Sequence, residues 1–151
     1  MKTSAVLGVL CFWLSGCGPS AVPQSGATSA PDNATVLLNI TSGAEALQAV
    51  DMAMKLAGFS LDEGRTVAIF FNVKGVHVPT RSFPADVKFQ DNLPLVQQLA
   101  RLIERGVEVH VCPICMKALG VEADDVVEGA QVTTRPKLFS HIGRDTAVFS
   151  Y

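Results

Sequence analysis

The chain has 151 residues, of which 48% are hydrophobic and 17% charged, and a formal net charge of −2. That balance excludes a highly charged disordered chain, and no arginine cluster or RNP-like motif supports nucleic-acid binding. No internal repeat at solenoid periods is present.

The first residues read as a secretory leader. Lys2 supplies the positive charge, and Ala5 to Leu14 form an apolar run too short to span a bilayer. It ends in Leu14-Ser15-Gly16-Cys17, which resembles the lipobox of bacterial lipoproteins. The resemblance implies a leader over residues 1–16, cut before Cys17, which then carries the lipid. The alternative is an ordinary signal peptide with an incidental cysteine. Residues 17–34 are mostly Ser, Ala, Pro, Gly and Thr, and read as a flexible tether. The expected location is the periplasmic side of a bacterial membrane. Gly18, with no Asp there, resembles the outer-membrane-sorted type.

Residues 35–151 are enough for one domain with a real core. Val36 to Ile40 is a short apolar run, expected as a buried strand. Ala44 to Leu56 has helical spacing, with Thr41 or Ser42 as cap and Gly58 punctuating its exit. Thr66 to Asn72 is a second strand, rich in β-branched and aromatic residues. Lys74 to Asp91 holds Gly75, Pro79 and Pro84 and reads as a long loop. Asn92 is expected to cap a helix over Leu93 to Arg105, with Leu95, Leu99, Leu102 and Ile103 as its buried stripe. Gly106 ends that helix, and Val107 to Val111 forms a third strand. A short acidic helix around Ala123 to Glu128 follows, with Asp124 and Asp125 on a solvated face. Ala130 to Thr133 is a fourth strand, Lys137 to Ile142 a helical turn, and Thr146 to Ser150 a final strand. This alternation predicts an α/β fold with a mainly parallel sheet of five strands and helices on both faces. Ligands of such sheets sit outside the carboxyl ends of the strands. Ser42-Gly43, the loop from Lys74, and Cys112 all fall there.

The chemistry concentrates in Cys112-Pro113-Ile114-Cys115, at the turn from the third strand into a short helix. Unpaired N–H groups at a helix start favour thiolate, the reactive form of cysteine. Cys11 leaves with the leader and Cys17 is capped by lipid, so Cys112 and Cys115 remain as thiols. Four readings stay open for the pair: reactive thiols, a structural disulfide, soft-metal ligands for copper or zinc, and buried inert thiols. No metal site or cofactor is assigned. A metal site at the cysteines needs further ligands from His110, His141, His77 or Met116. Alternation along the strand keeps His110 and Cys112 on one face. Met116 stands where haem attachment requires histidine, and the internal Pro-Ile does not support a thioredoxin assignment. His110 is a candidate for tuning Cys112, and His77 for lining a pocket. Lys74 and Arg81 are candidates for holding an anionic sulfur compound, against the simpler reading of solvated loop charges.

The order of elements resembles the DsrE/DsrF-like family. The residues carrying the resemblance begin with Leu37 to Gly43 and with Val67 to Phe71 running into Gly75-Val76. They continue through Leu99-Ala100, Gly106 to Cys112, and Met116 to Val121. The resemblance implies a flavodoxin-like three-layer fold, homo- or hetero-oligomers of related chains, and sulfur relay through a cysteine persulfide. This chain departs from the relay pattern in its leader and in Cys115. A second thiol there would attack a Cys112 persulfide, release sulfide and close a disulfide. The expected partners are small sulfur species or a protein thiol, with the membrane reached through the lipid at Cys17. The alternative is a non-enzymatic binding module, in which the cysteines hold a soft metal or staple a surface for a partner subunit.

Overall fold

The computed structural model describes residues 34–151. The leader, Cys17 and the tether before Ala34 lie outside the described residues. Five strands, β1 (Thr35–Ile40), β2 (Thr66–Phe71), β3 (Glu108–Val111), β4 (Ala130–Val132) and β5 (Thr146–Ser150), form one sheet. Their order is β4-β3-β2-β1-β5, and every pairing is parallel. The chain steps outward from β1 to β4, then returns across the sheet to lay β5 on the far side of β1.

Alternation assigns the two faces. Val36, Leu38, Ile40, Val67, Ile69, Phe71 and Val109 form one cluster with side chains of α1 (Leu47–Asp62) and α2 (Leu95–Glu104). Full burial of such a side chain contributes about 1.5–3 kcal/mol, so this face carries most of the core. The opposite face holds Asn39, Phe70, His110 and Gln131 in one register row. The five-residue helix α4 (Arg135–Phe139) reaches this side, where Lys137 Nζ donates to Gln131 Oε1 at 2.8 Å. Helices therefore flank both faces, as expected, but unequally. Among the described residues no helix is long and apolar enough to cross a membrane.

Several element ends differ from the sequence reading. α1 runs through Gly58 to Asp62, because Ala57 and Ser60 stay buried on its inner stripe and outweigh the roughly 1 kcal/mol cost of a mid-helix glycine. A short 3-10 turn, Ala44–Ala46, precedes it without a side-chain cap, and the Thr41 hydroxyl instead donates to the Tyr151 carbonyl at 2.7 Å. Asn92 does not cap α2. Its amide donates to the fully buried Asp51 at 2.9 Å, beside Gln98 at 2.8 Å and Lys55 at 3.1 Å, tying α2 and its entry loop to α1. Pro94 takes the capping position, and its carbonyl receives the Gln97 and Gln98 N–H groups at 3.0 Å. The acidic segment is a 3-10 turn, Ala123–Asp125, rather than an α-helix, and Asp124 is exposed on it as expected. Asp125 instead accepts hydrogen bonds from the Ser82 N–H and hydroxyl, and the Arg81 guanidinium donates to the Asp124 carbonyl. Those contacts seat the loop after β2 against the segment before β4.

Candidate functional site at the carboxyl rim

Each strand end hands the chain to its neighbour by one backbone bond. Asn72 N donates to the Ile40 carbonyl at 3.0 Å, Cys112 N to Phe71 at 2.9 Å, and Thr133 N to Val111 at 2.9 Å. The carboxyl rim is thus a fixed ledge. A 3-10 turn over Val73–His77 follows β2, and Gly75 passes so close to β1 that a Cβ there would lie 2.4 Å from the Ile40 carbonyl oxygen. Only glycine fits this approach.

Cys112 caps α3 (Pro113–Leu119), and its carbonyl receives the Met116 N–H at 3.0 Å. Pro113 occupies the first turn, where its missing N–H is not needed. Both cysteines are half-buried free thiols that pack around Val76, Val111, Met116 and Val126. The Cys115 thiol is pushed above its ordinary pKa by burial, while a hydrogen bond from the Val73 backbone pulls the other way. The neighbouring Cys112 thiol adds to the upward push. Val73 has φ of +47°, a conformation β-branched residues rarely adopt. Such strain persists where surrounding contacts impose it, and here it falls at the start of the turn that follows β2.

Beside this ledge lies a cavity of about 420 Å³, with Gly43, Glu45, Lys74, His77, Phe83 and Leu119 among its lining. His77 is among the residues on its wall. Neither cysteine lines the cavity, but Leu119 belongs to their helix and Lys74 follows Val73. Lys74 Nζ stands 4.0 Å from Glu45. Arg81 is engaged with Asp124 and is not among the lining residues.

His110 is fully buried, and its ring does not turn toward the thiols. Its Nδ1 lies 3.0 Å from the Thr133 hydroxyl, and its Nε2 lies 2.8 Å from His141 Nε2. The Thr133 hydroxyl donates to the Thr134 carbonyl at 3.3 Å, so its oxygen accepts from His110 Nδ1–H. The network therefore assigns the Nδ1–H tautomer to His110 and leaves its Nε2 lone pair facing His141. Burial holds His110 below its ordinary pKa, with the facing His141 reinforcing that and Glu108 opposing it. Cys112 keeps an extended backbone as the cap of α3, but the His110 ring is held by Thr133 and His141 and makes no hydrogen bond to either thiol. Val73, Thr133 and the pairing with His141 had no local signal in the sequence.

These features define a small parallel α/β protein with a thiol pair on the carboxyl rim of its sheet. The chain belongs to the DsrE/DsrF-like family, whose model matches residues 34–150. It is 31% identical over 100 residues to the uncharacterized protein MJ0989 of Methanocaldococcus jannaschii, covering 66% of this chain and 83% of that one. It is 32% identical over 98 residues to the uncharacterized protein MK0008 of Methanopyrus kandleri, covering 64% and 78% respectively. Among solved structures, ychN protein from E. coli superposes with a TM-score of 0.63 at 16% identity, covering 79% of this chain and 99% of that one. The protein of unknown function MTH1491 from Methanobacterium thermoautotrophicum gives 0.60 at 18% identity, covering 78% and 98%. These likenesses establish the fold. Family membership suggests a function of the sulfur-relay type.

Proposed function

We propose that this chain is a membrane-tethered sulfur-handling or thiol-redox protein, with Cys112 as nucleophile and Cys115 as resolving thiol. The observation that carries the reading is the placement of two free, half-buried thiols on one turn at the carboxyl end of β3, with Cys112 at the start of α3 and Cys115 in its first turn. In this reading the Cys112 thiolate attacks a terminal sulfur of a polysulfide. A persulfide forms on Cys112 and the shortened chain leaves as a thiolate. The Cys115 thiolate then attacks the Cys112 sulfur, hydrosulfide departs, and a Cys112–Cys115 disulfide remains. The pair has supplied two electrons, and an external dithiol restores them by exchange. The Val73 N–H stabilises the anionic Cys115 sulfur as it forms, offsetting the burial that keeps it protonated at rest.

The cavity beside the thiols supports binding of a small anionic sulfur compound, with Lys74 and His77 on its wall. The same reading includes export, a lipid at Cys17, and assembly with related chains. Exposed Phe139, Ile142 and Val148 offer apolar surface for that assembly. Intact mass of the purified chain carrying Cys11→Ser and Cys17→Ser, after exposure to polysulfide with and without reductant, tests the chemistry. That chain should lose two hydrogens as the disulfide closes; in the same background Cys115→Ser should gain one sulfur atom, and Cys112→Ser should gain none. Sulfur uptake by the Cys112→Ser chain would overturn the assignment.

A further inference from the structure

Away from the rim, on the sparsely covered face of the sheet, two of the chain's three histidines meet at 2.8 Å. Glu108 stands two residues before His110 on β3 and so shares its face. Its carboxylate lies 3.9 Å from His110 Nε2 and 3.6 Å from His141 Nε2. We infer that Glu108, His110 and His141 form a binding site for a divalent transition-metal ion, distinct from the thiol pair.

The geometry fits such an ion. Ligand atoms about 2.1 Å from a tetrahedral centre stand about 3.4 Å apart, and the three edges here are 2.8, 3.6 and 3.9 Å. Shifts of about half an ångström complete the triangle, and the exposed Glu108 side chain can turn to supply its share. The donor set is right as well. Two imidazoles and one carboxylate with an open position are ligands that zinc and non-haem iron accept. His110 is already prepared for the task. Thr133 takes its Nδ1–H, an orienting contact common beside metal-bound histidine, so its Nε2 lone pair accepts from His141 Nε2–H at rest and becomes a metal ligand once His141 gives up that proton. His141 comes from the loop after α4, 31 residues further along the chain, so the site exists only in the folded protein. It is not sealed, because Glu108 opens to solvent.

The inference does not depend on the thiol chemistry, and its test removes the thiols. The full chain with its four cysteines replaced by serine is titrated with zinc chloride by calorimetry, and with cobalt chloride by visible absorption. One equivalent of zinc should bind. In that background His141→Ala should weaken binding at least a hundredfold, and Glu108→Gln about tenfold. His77→Ala, at the distant cavity, should leave the affinity unchanged. Because Glu108 is exposed, its variant keeps the test decisive if His141→Ala fails to fold. Absence of saturable one-to-one binding in the four-serine chain would overturn the inference. So would an affinity unchanged by Glu108→Gln together with one unchanged or unmeasurable in His141→Ala.

Discussion

At the end of β3, Cys112 and Cys115 sit where the chain leaves the sheet, half-buried and beside a cavity. Two residues earlier His110 is sealed in the sheet, with both ring nitrogens committed to Thr133 and His141. The first site is local, since its cysteines lie on one turn and its third member, Val73, sits at the end of the adjacent strand. The second is assembled from residues brought together only by the return of the chain after β4. The two groups stay separate because the His110 ring is held between Thr133 and His141, whereas the cysteines pack around Val76, Met116 and Val126.

The largest expected effect separates the two regions outright. Cys112→Ser should abolish persulfide formation from polysulfide, a loss of at least a hundredfold measured by intact mass. His141→Ala should leave the same rate within about twofold, since that side chain reaches no thiol. A parallel loss in both variants would mean that the regions act as one site. Thr133→Val sharpens the comparison from the other side. It removes the acceptor that fixes the His110 tautomer, so zinc affinity should fall about tenfold. Sulfur uptake should hold steady in the same protein.

A smaller effect lies in the pH dependence of Cys115. Its folded pKa is raised, so the folded chain holds this proton more tightly than the unfolded chain does. The stabilising contribution is present below the ordinary thiol pKa of 9.0 and is lost as pH rises through the folded value. Alkylation of Cys115 by iodoacetamide, followed by mass spectrometry of the full chain, should turn on at higher pH than in the urea-unfolded chain. A midpoint at or below the unfolded one would contradict a buried resolving thiol.

How far the sequence could reveal these regions follows from the range of the contacts. β5 was legible to the residue, because Thr146 to Ser150 is bounded by turn signals. The buried stripe Leu95, Leu99 and Leu102 followed from spacing alone. The start of α2 was misread, since Asn92 has a long-range use, partnering the buried Asp51 41 residues earlier, that local capping rules do not anticipate. The thiol pair was visible as four consecutive residues. The histidine pair was half visible: the shared face of Glu108 and His110 follows from alternation, whereas His141 is supplied by topology.

Val73 separates the two regions most finely, because the thiol site alone has a strained backbone at its edge. A β-branched residue at φ of +47° costs about 1–3 kcal/mol, and Val73 recovers little through packing since it is 51% exposed. Asparagine tolerates the left-handed region and keeps the backbone N–H at this position. Val73→Asn should therefore raise stability by about 1 kcal/mol in urea unfolding while persulfide turnover stays close to wild type. If turnover falls as stability rises, the valine side chain itself shapes the approach to the thiols. If stability falls, the positive φ is not a source of strain, and the backbone at Val73 is set by its neighbours without cost.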